Sequence, residues 1–338
     1  MTLRALVVGL SLLFQASAVE AQEARQNGRD VSQDESAASE AFDQLSTASN
    51  IGDLLAHPAF AGHARLLLPW DDRPADLAMP LSQIGSLLPY HSNVRPDLAV
   101  SSINRMIDDV AAGHQVFYDF YTDAQKQDAP ARENTGLFFY RGRPGAPFAV
   151  IAPGGGFSYV GSVHEGFPYA DVLSSLGYNA FVLKYRVGHG GGVANEDLAF
   201  ALSYVFRNAE TLQVSTEGYS LWGSSAGARM AASIGSHGAA RFGGDALPKP
   251  STVVMAYTSH QDHTTDEPPT FAVVGQQDGI APPAAMERRV SALRASRTNV
   301  EFKVFPGVAH GFGLGMGTSA EGWVEEAAEF WEKSMRDD

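Results

Sequence analysis

The chain has 338 residues, 44% of them hydrophobic, which is ample for a sizeable core and excludes a disordered protein. Its formal net charge of −14 argues against nucleic acid and anionic membrane surfaces as partners, because both need basic patches. It contains no cysteine, which removes thiol catalysis, disulfides and thiolate metal sites.

Residues 1–21 read as a signal peptide. Arg4 supplies a short positive region, Ala5 to Phe14 is an apolar run too short to span a bilayer, and small residues allow cleavage after Ala18 or after Ala21. Export to the periplasm or beyond is therefore expected. No later run is long and apolar enough to cross a membrane, so no integral membrane segment is expected in the mature chain. Residues 22–50, rich in Gln, Ser, Ala, Asp and Glu, read as a flexible polar tether.

Residues 51–113 read as a helical N-terminal segment broken by proline turns such as Asp72-Arg73-Pro74 and Arg95-Pro96. Short helices are expected at Ile51 to Leu55, Leu81 to Leu88 and Asp97 to Ala112. The last carries an apolar stripe of Val100, Ile103, Met106, Ile107 and Val110. The segment packs beside or over the main domain, either as a lid or as additional core.

From residue 114 to the C-terminus the pattern alternates strands and helices. Gln115 to Tyr121 and Gly136 to Tyr140 read as an antiparallel pair. Pro147 to Ala152 and Tyr178 to Leu183 are near-continuous apolar runs, the mark of strands buried on both faces. Further strands are expected at Tyr219 to Trp222, Ser251 to Ala256, Pro269 to Val274 and Val300 to Phe305. Helices are expected at Pro168 to Leu176, Asn195 to Asn208, Pro283 to Ala295 and Ala320 to Lys333. The expected fold is α/β: a mostly parallel, doubly wound sheet flanked by helices, with its site beyond the C-terminal strand ends.

The chemistry gathers at those ends. Gly223-Ser224-Ser225-Ala226-Gly227 fits G-x-S-x-G, a strand-to-helix turn that thrusts one hydroxyl clear of the sheet beside free helix N–H groups. As a nucleophile, Ser225 needs a base and a carboxylate to orient that base. His310, after the strand ending Val304-Phe305-Pro306, and Asp278, after the strand ending Val273-Val274-Gly275, stand in the order that hydrolases on such sheets use. Pro153-Gly154-Gly155-Gly156 follows an early buried strand, and its glycines let amides turn towards a substrate oxygen. No Gly-Lys-Ser/Thr follows, so a phosphate loop is excluded.

These motifs, with Lys184-Tyr185-Arg186 and His310-Gly311-Phe312, resemble the α/β-hydrolase superfamily. The match is closest to its esterase/lipase branch, which includes acetylesterases and acetylxylan esterases. It runs from about Gln115 to the C-terminus. It implies a Ser225–His310–Asp278 triad, an oxyanion hole from Gly155, Gly156 and Ala226, and a small-molecule or carbohydrate ester substrate, with no cofactor and no metal. Relatives of the lipase type usually carry histidine where Pro153 stands, a departure that bears on the sub-family more than on the chemistry.

A peptidase of the prolyl-oligopeptidase type shares the triad order, although Ala226 after the serine fits esterases better. A non-catalytic binding protein of the same fold would be expected to lack a triad member. His260-Gln261-Asp262-His263 with Asp266 offers metal-ligating types, but in a loop without helical spacing, and reads as a solvated or substrate-edge loop. Phe157, Tyr159, His164, Glu165, Trp222, Tyr257 and Phe312 fall near the site in the sequence and receive no individual role.

Overall fold

The computed structural model describes residues 42–337. The expected signal peptide and residues 22–41 of the expected tether lie outside the described residues. The last part of that tether is ordered: Leu45 is buried, and its backbone exchanges hydrogen bonds with the Asn104 side chain. Asn50 ends this stretch as a helix cap. Its Oδ1 accepts the Asp53 amide at 2.9 Å while the Asp53 carboxylate accepts the Asn50 amide at 2.8 Å.

Helices α1 (Ile51–Ala56) and α2 (Pro96–Ala111) frame the N-terminal segment, joined by 3₁₀ turns that include Leu81–Leu87. The stripe on α2 behaves as its spacing requires: Val100, Ile103, Met106 and Ile107 are buried and Val110 lies half-buried at the margin.

The strands that follow are β1 (Phe117–Tyr118), β2 (Gly136–Tyr140), β3 (Pro147–Ala152), β4 (Asn179–Lys184), β5 (Ser215–Ser224), β6 (Thr252–Ala256), β7 (Thr270–Gly275) and β8 (Val300–Phe305). They form one sheet in the order β1-β2-β4-β3-β5-β6-β7-β8. β2 runs antiparallel to both β1 and β4, and the pairings from β4 through β8 are parallel. The expected first strand is cut to two residues, and a short capped helix, Asp123–Asp128, occupies the connection to β2.

The longer helices that follow are α3 (Phe167–Ser175), α4 (Gly190–Arg207), α5 (Ala226–His237), α6 (Pro283–Ala295) and α7 (Trp323–Asp337). Right-handed crossovers decide their faces. The step from β3 to β4 goes one way along the sheet and puts α3 on one face. The steps from β4 to β5, β5 to β6 and β7 to β8 go the other way and put α4, α5 and α6 opposite. α7 returns to pack against α3. With layers on both sides, β4, β6 and β7 are buried along their whole lengths, as their apolar runs demand.

The direction of winding reverses at β3, whose neighbours are β4 and β5. Loops leaving β3 and β5 therefore diverge to opposite faces and open a crevice at their C-terminal ends. The glycine loop and the Ser225 turn are those two loops.

The N-terminal segment is welded to this end of the sheet. Lys184 Nζ, fully buried at the end of β4, donates to the Leu68 carbonyl at 2.9 Å and pairs with Asp71 at 2.9 Å. Trp70 packs on Tyr159 with ring centroids 4.7 Å apart, and at the opposite end of the sheet the Tyr140 hydroxyl donates to the Ser102 carbonyl on α2. Breaking a buried ion pair from one side strands the other charge. Asp71→Ala should therefore lose about 3–5 kcal/mol in urea unfolding, and adding Lys184→Met should recover part of the loss. An unchanged urea midpoint for Asp71→Ala would refute the role of the pair.

Candidate active site

Ser225 stands alone between the last residue of β5 and the first of α5, with φ 51° and ψ −112°. A side chain rarely occupies this part of backbone space, and here the surroundings impose it. The Ser225 amide donates to the Ala256 carbonyl at 2.8 Å, and its own carbonyl accepts the Arg229 amide at 3.2 Å. A Cβ on Gly223 would overlap the Gly227 backbone, and one on Gly227 would overlap the Ala152 carbonyl at the end of β3. Both glycines are demanded by close passage of strand and helix.

The structure brings the three expected side chains together. His310 Nε2 lies 3.0 Å from Ser225 Oγ, and Nδ1 lies 2.7 Å from Asp278 Oδ2. Asp278 Oδ1 accepts the amides of Ile280 at 2.9 Å and Ala281 at 2.7 Å, which fixes the carboxylate in its turn. With Nδ1–H donating to Asp278, Nε2 is left to accept the serine proton. Asp278 and His310 are buried, and Ser225 is half-buried at the mouth of the cleft. This arrangement can make a nucleophile of the hydroxyl and later return the proton to a leaving group.

The glycine loop lies across the crevice. Gly155, at φ 133°, is buried, and a Cβ there would overlap the Tyr159 carbonyl. Gly156 is exposed and lines the cleft with Ser225 and Ala226. Among the described residues, the amides of Gly155, Gly156 and Ala226 donate to no acceptor. The Gly154 amide is already committed, to Glu165 Oε2 at 2.6 Å. Of the three residues expected to supply donors, Gly156 and Ala226 thus line the cleft and Gly155 is buried.

The cleft encloses about 530 Å³. Phe157, Ile280 and Ala281 give it apolar surface, and Arg229 with Thr258 to Asp262 gives it a polar wall. In that wall Asp262 pairs with His237 at 2.8 Å and the His263 ring meets the Gln261 carbonyl. No group of three or more His, Asp or Glu side chains is placed to hold a metal ion among the described residues. Burial, reinforced by the charges of Arg289 and Arg229, lowers the His260 pKa to about 4 and keeps that ring neutral.

Sequence reasoning missed what stands behind the loops. The N-terminal segment sends residues 90–93 into the site: the Ser92 hydroxyl donates to the His310 carbonyl at 2.7 Å and the Ser92 amide to the Gly311 carbonyl at 2.9 Å. The Tyr90 amide donates to the Tyr159 hydroxyl at 3.1 Å, and His91 lies within hydrogen-bond reach of both Tyr159 and Glu165. The Tyr257 ring packs edge-on against His310, 5.0 Å between centroids, from a strained φ of 42°. Tyr159, His164, Glu165 and Tyr257 were visible as neighbours in the sequence. His91 and Ser92, over 60 residues upstream of them, carried no signal.

The Dienelactone hydrolase family model matches residues 201–336. Solved structures superpose on a larger part of the chain. An alpha/beta hydrolase enzyme from a Medee basin deep-sea metagenome library is 23% identical with a TM-score of 0.53, covering 60% of this chain and 93% of its own. The chain has the α/β-hydrolase fold. Two further solved neighbours are an acetyl ester-xyloside bifunctional hydrolase from Caldicellulosiruptor lactoaceticus (21% identity, TM-score 0.52, 59% of this chain and 88% of that one) and the carboxylesterase Cest-2923 from Lactobacillus plantarum (18%, 0.52, 59% and 92%). No curated protein matches the chain.

One buried group in this α/β-hydrolase fold makes the chain's stability sensitive to mild acid. Burial, with the His91 ring beside it, depresses the His164 pKa from 6.5 to about 4 against the opposing pull of Glu165, while the ring meets the Gly311 carbonyl at 3.0 Å. Between those two values the unfolded chain binds the extra proton, so this contribution is fully present above pH 6.5 and is lost as pH falls towards 4. His164→Gln should flatten the fall of melting temperature between pH 7 and about 4.5. A slope equal to that of the wild type would exclude His164 as its source.

Proposed function

We propose that this chain is a serine carboxylic ester hydrolase that works through an acyl-enzyme on short-chain, acetyl-type esters. The observation that carries the reading is the hydrogen-bonded line from Ser225 through His310 to Asp278, with Ser225 and His310 lining an open cleft. Ser225 Oγ attacks the ester carbonyl while His310 Nε2 takes its proton, and Asp278 holds the ring in the tautomer that allows this. The carbonyl oxygen becomes an oxyanion received by the amides of Gly156 and Ala226, with Gly155 behind them. Collapse expels the alcohol, which takes the proton back from His310. Water, deprotonated by the same ring, then releases the acid.

The matched family model supports a hydrolase, and the solved neighbours named as esterases agree with ester substrates. The names of two neighbours, an acetyl ester-xyloside hydrolase and a propionate-bound esterase from Thermogutta terrifontis (20% identity, TM-score 0.53), set the acyl range for a test. The polar wall from Thr258 to Asp262 suits a hydroxylated alcohol such as a sugar.

p-Nitrophenyl acetate, butyrate and octanoate assayed with wild type and Ser225→Ala decide the reading. The expected outcome is highest kcat/KM on acetate or butyrate and a loss of at least about 10⁴-fold in the variant. A Ser225→Ala protein as active as wild type would refute the mechanism, and hydrolysis of amides alone would favour a peptidase. Export is part of the same proposal. Expressed with its leader, the secreted chain should begin at Val19 or Gln22 by N-terminal sequencing, and an intact Met1 in the secreted fraction would count against it.

A further inference from the structure

Behind the glycine loop, and untouched by the proposed chemistry, lies a carboxylate with no exposed surface. Glu165 sits in a single turn of π-helix, Ser162–Gly166, between β3 and α3. An ionised carboxylate is acceptor-only, and three donors converge on Glu165. Its Oε2 takes the Gly154 amide at 2.6 Å. Its Oε1 takes the Tyr257 hydroxyl at 2.7 Å and the His91 Nε2 proton at 3.0 Å.

Each donor belongs to a different part of the site. Gly154 opens the glycine loop, and a Cβ on it would lie 3.0 Å from Ser225 Cβ, so a shift there moves the wall against the serine. Tyr257 directly follows β6 and carries the ring packed edge-on against His310. Its hydroxyl lies 3.1 Å from that of Tyr169, which accepts from the Ser224 hydroxyl at 3.4 Å, so a hydrogen-bonded line runs from the residue before the nucleophile back to Glu165. His91 comes from the N-terminal segment, where the next residue, Ser92, holds the His310 carbonyl. One carboxylate therefore touches the glycine loop and the N-terminal segment directly and reaches the His310 ring through Tyr257.

We propose that Glu165 is the positioning residue of this site: by accepting the Gly154, Tyr257 and His91 protons it holds the glycine loop and the His310 loop at the spacing that catalysis requires, with the N-terminal segment as a working part of the catalytic unit. The proposal rests on the ester hydrolase reading for its kinetic consequence but not for its structural one. Burial on its own would raise the Glu165 pKa, yet His91, His164 and the Tyr257 hydroxyl outweigh it and hold the group at about 2, so the acceptor is ionised wherever an enzyme would be assayed. Burial pushes the Tyr257 phenol well above its usual range, which keeps it a donor.

The test replaces Glu165 by leucine and by glutamine. Leucine fills the space and leaves three buried donors without an acceptor. Glutamine keeps one oxygen that can serve Gly154. Misplacing a catalytic wall by about 1 Å costs on the order of 100-fold in rate. Glu165→Leu should therefore lose about 100-fold in kcat with KM within about threefold of wild type, and Glu165→Gln should recover at least about tenfold of that loss. Should the leucine variant fail to fold, Glu165→Gln and His91→Leu carry the test, each with an expected loss of about tenfold in kcat. Amide hydrogen exchange of residues 153–158 and 309–313 is read in parallel and should be faster in the variants than in wild type.

Wild-type kcat together with wild-type exchange overturns the proposal. So does a loss appearing wholly in KM, or a glutamine variant no better than leucine. Should the wild type hydrolyse no ester at all, the functional reading falls and hydrogen exchange alone decides the positioning role.

Discussion

Helix α5 starts so close to the end of β3 that Gly227 has no room for a side chain, because any Cβ there would meet the Ala152 carbonyl. That contact is what makes the rest of the site possible. With helix and strand touching, the chain leaving β3 at Pro153 has to turn away at once, and only glycine follows that path at positive φ without clashing with Tyr159. The same closeness sets Ser225 opposite the loop. Parallel pairing from β5 through β8 then carries Tyr257, Asp278 and His310 to the same rim, since each follows the C-terminal end of its strand.

Much of this was legible because the signals were local. A glycine-flanked serine, an aspartate two turn residues past a buried strand and a histidine past the next one each announce themselves within about ten residues, and the strand patterns place all three at one edge. The winding of the sheet was readable for the same reason. What stayed hidden was long-range. Nothing around His91 or Ser92 reveals that one reaches Glu165 and the other His310, and Glu165 itself, placed near the site by sequence, has no role until its burial and partners are seen. The end of the tether was misread on composition: the polar stretch reaching Asn50 contains Leu45, which finds a place in the core.

Buried charge recurs at the junctions between distant pieces of chain. Lys184 with Asp71 joins β4 to the N-terminal segment, Arg186 with Asp197 ties the end of β4 to α4, and Arg289 with Glu267 ties α6 to the loop before β7. Such pairs return little net stability once desolvation is counted. What they do provide is direction and spacing, since a guanidinium or ammonium among fixed acceptors tolerates few arrangements. A net-negative chain without cysteine or metal ligand clusters among its described residues uses these contacts where other proteins use covalent or metal cross-links.

The bond from the Ser92 hydroxyl to the His310 carbonyl spans 218 positions of sequence. In a chain made from its N-terminus, Ser92, the glycine loop and Ser225 all exist before His310 does, so the Ser225 hydroxyl has no imidazole beside it until β8 has joined the sheet edge. Contacts of such separation form late, because the loop they close carries a large entropic cost. The ring that faces Ser225 is thus the last piece of the site to exist in the growing chain, and the Ser225 turn, the glycine loop and residues 90–93 meet it only once β8 lies beside β7.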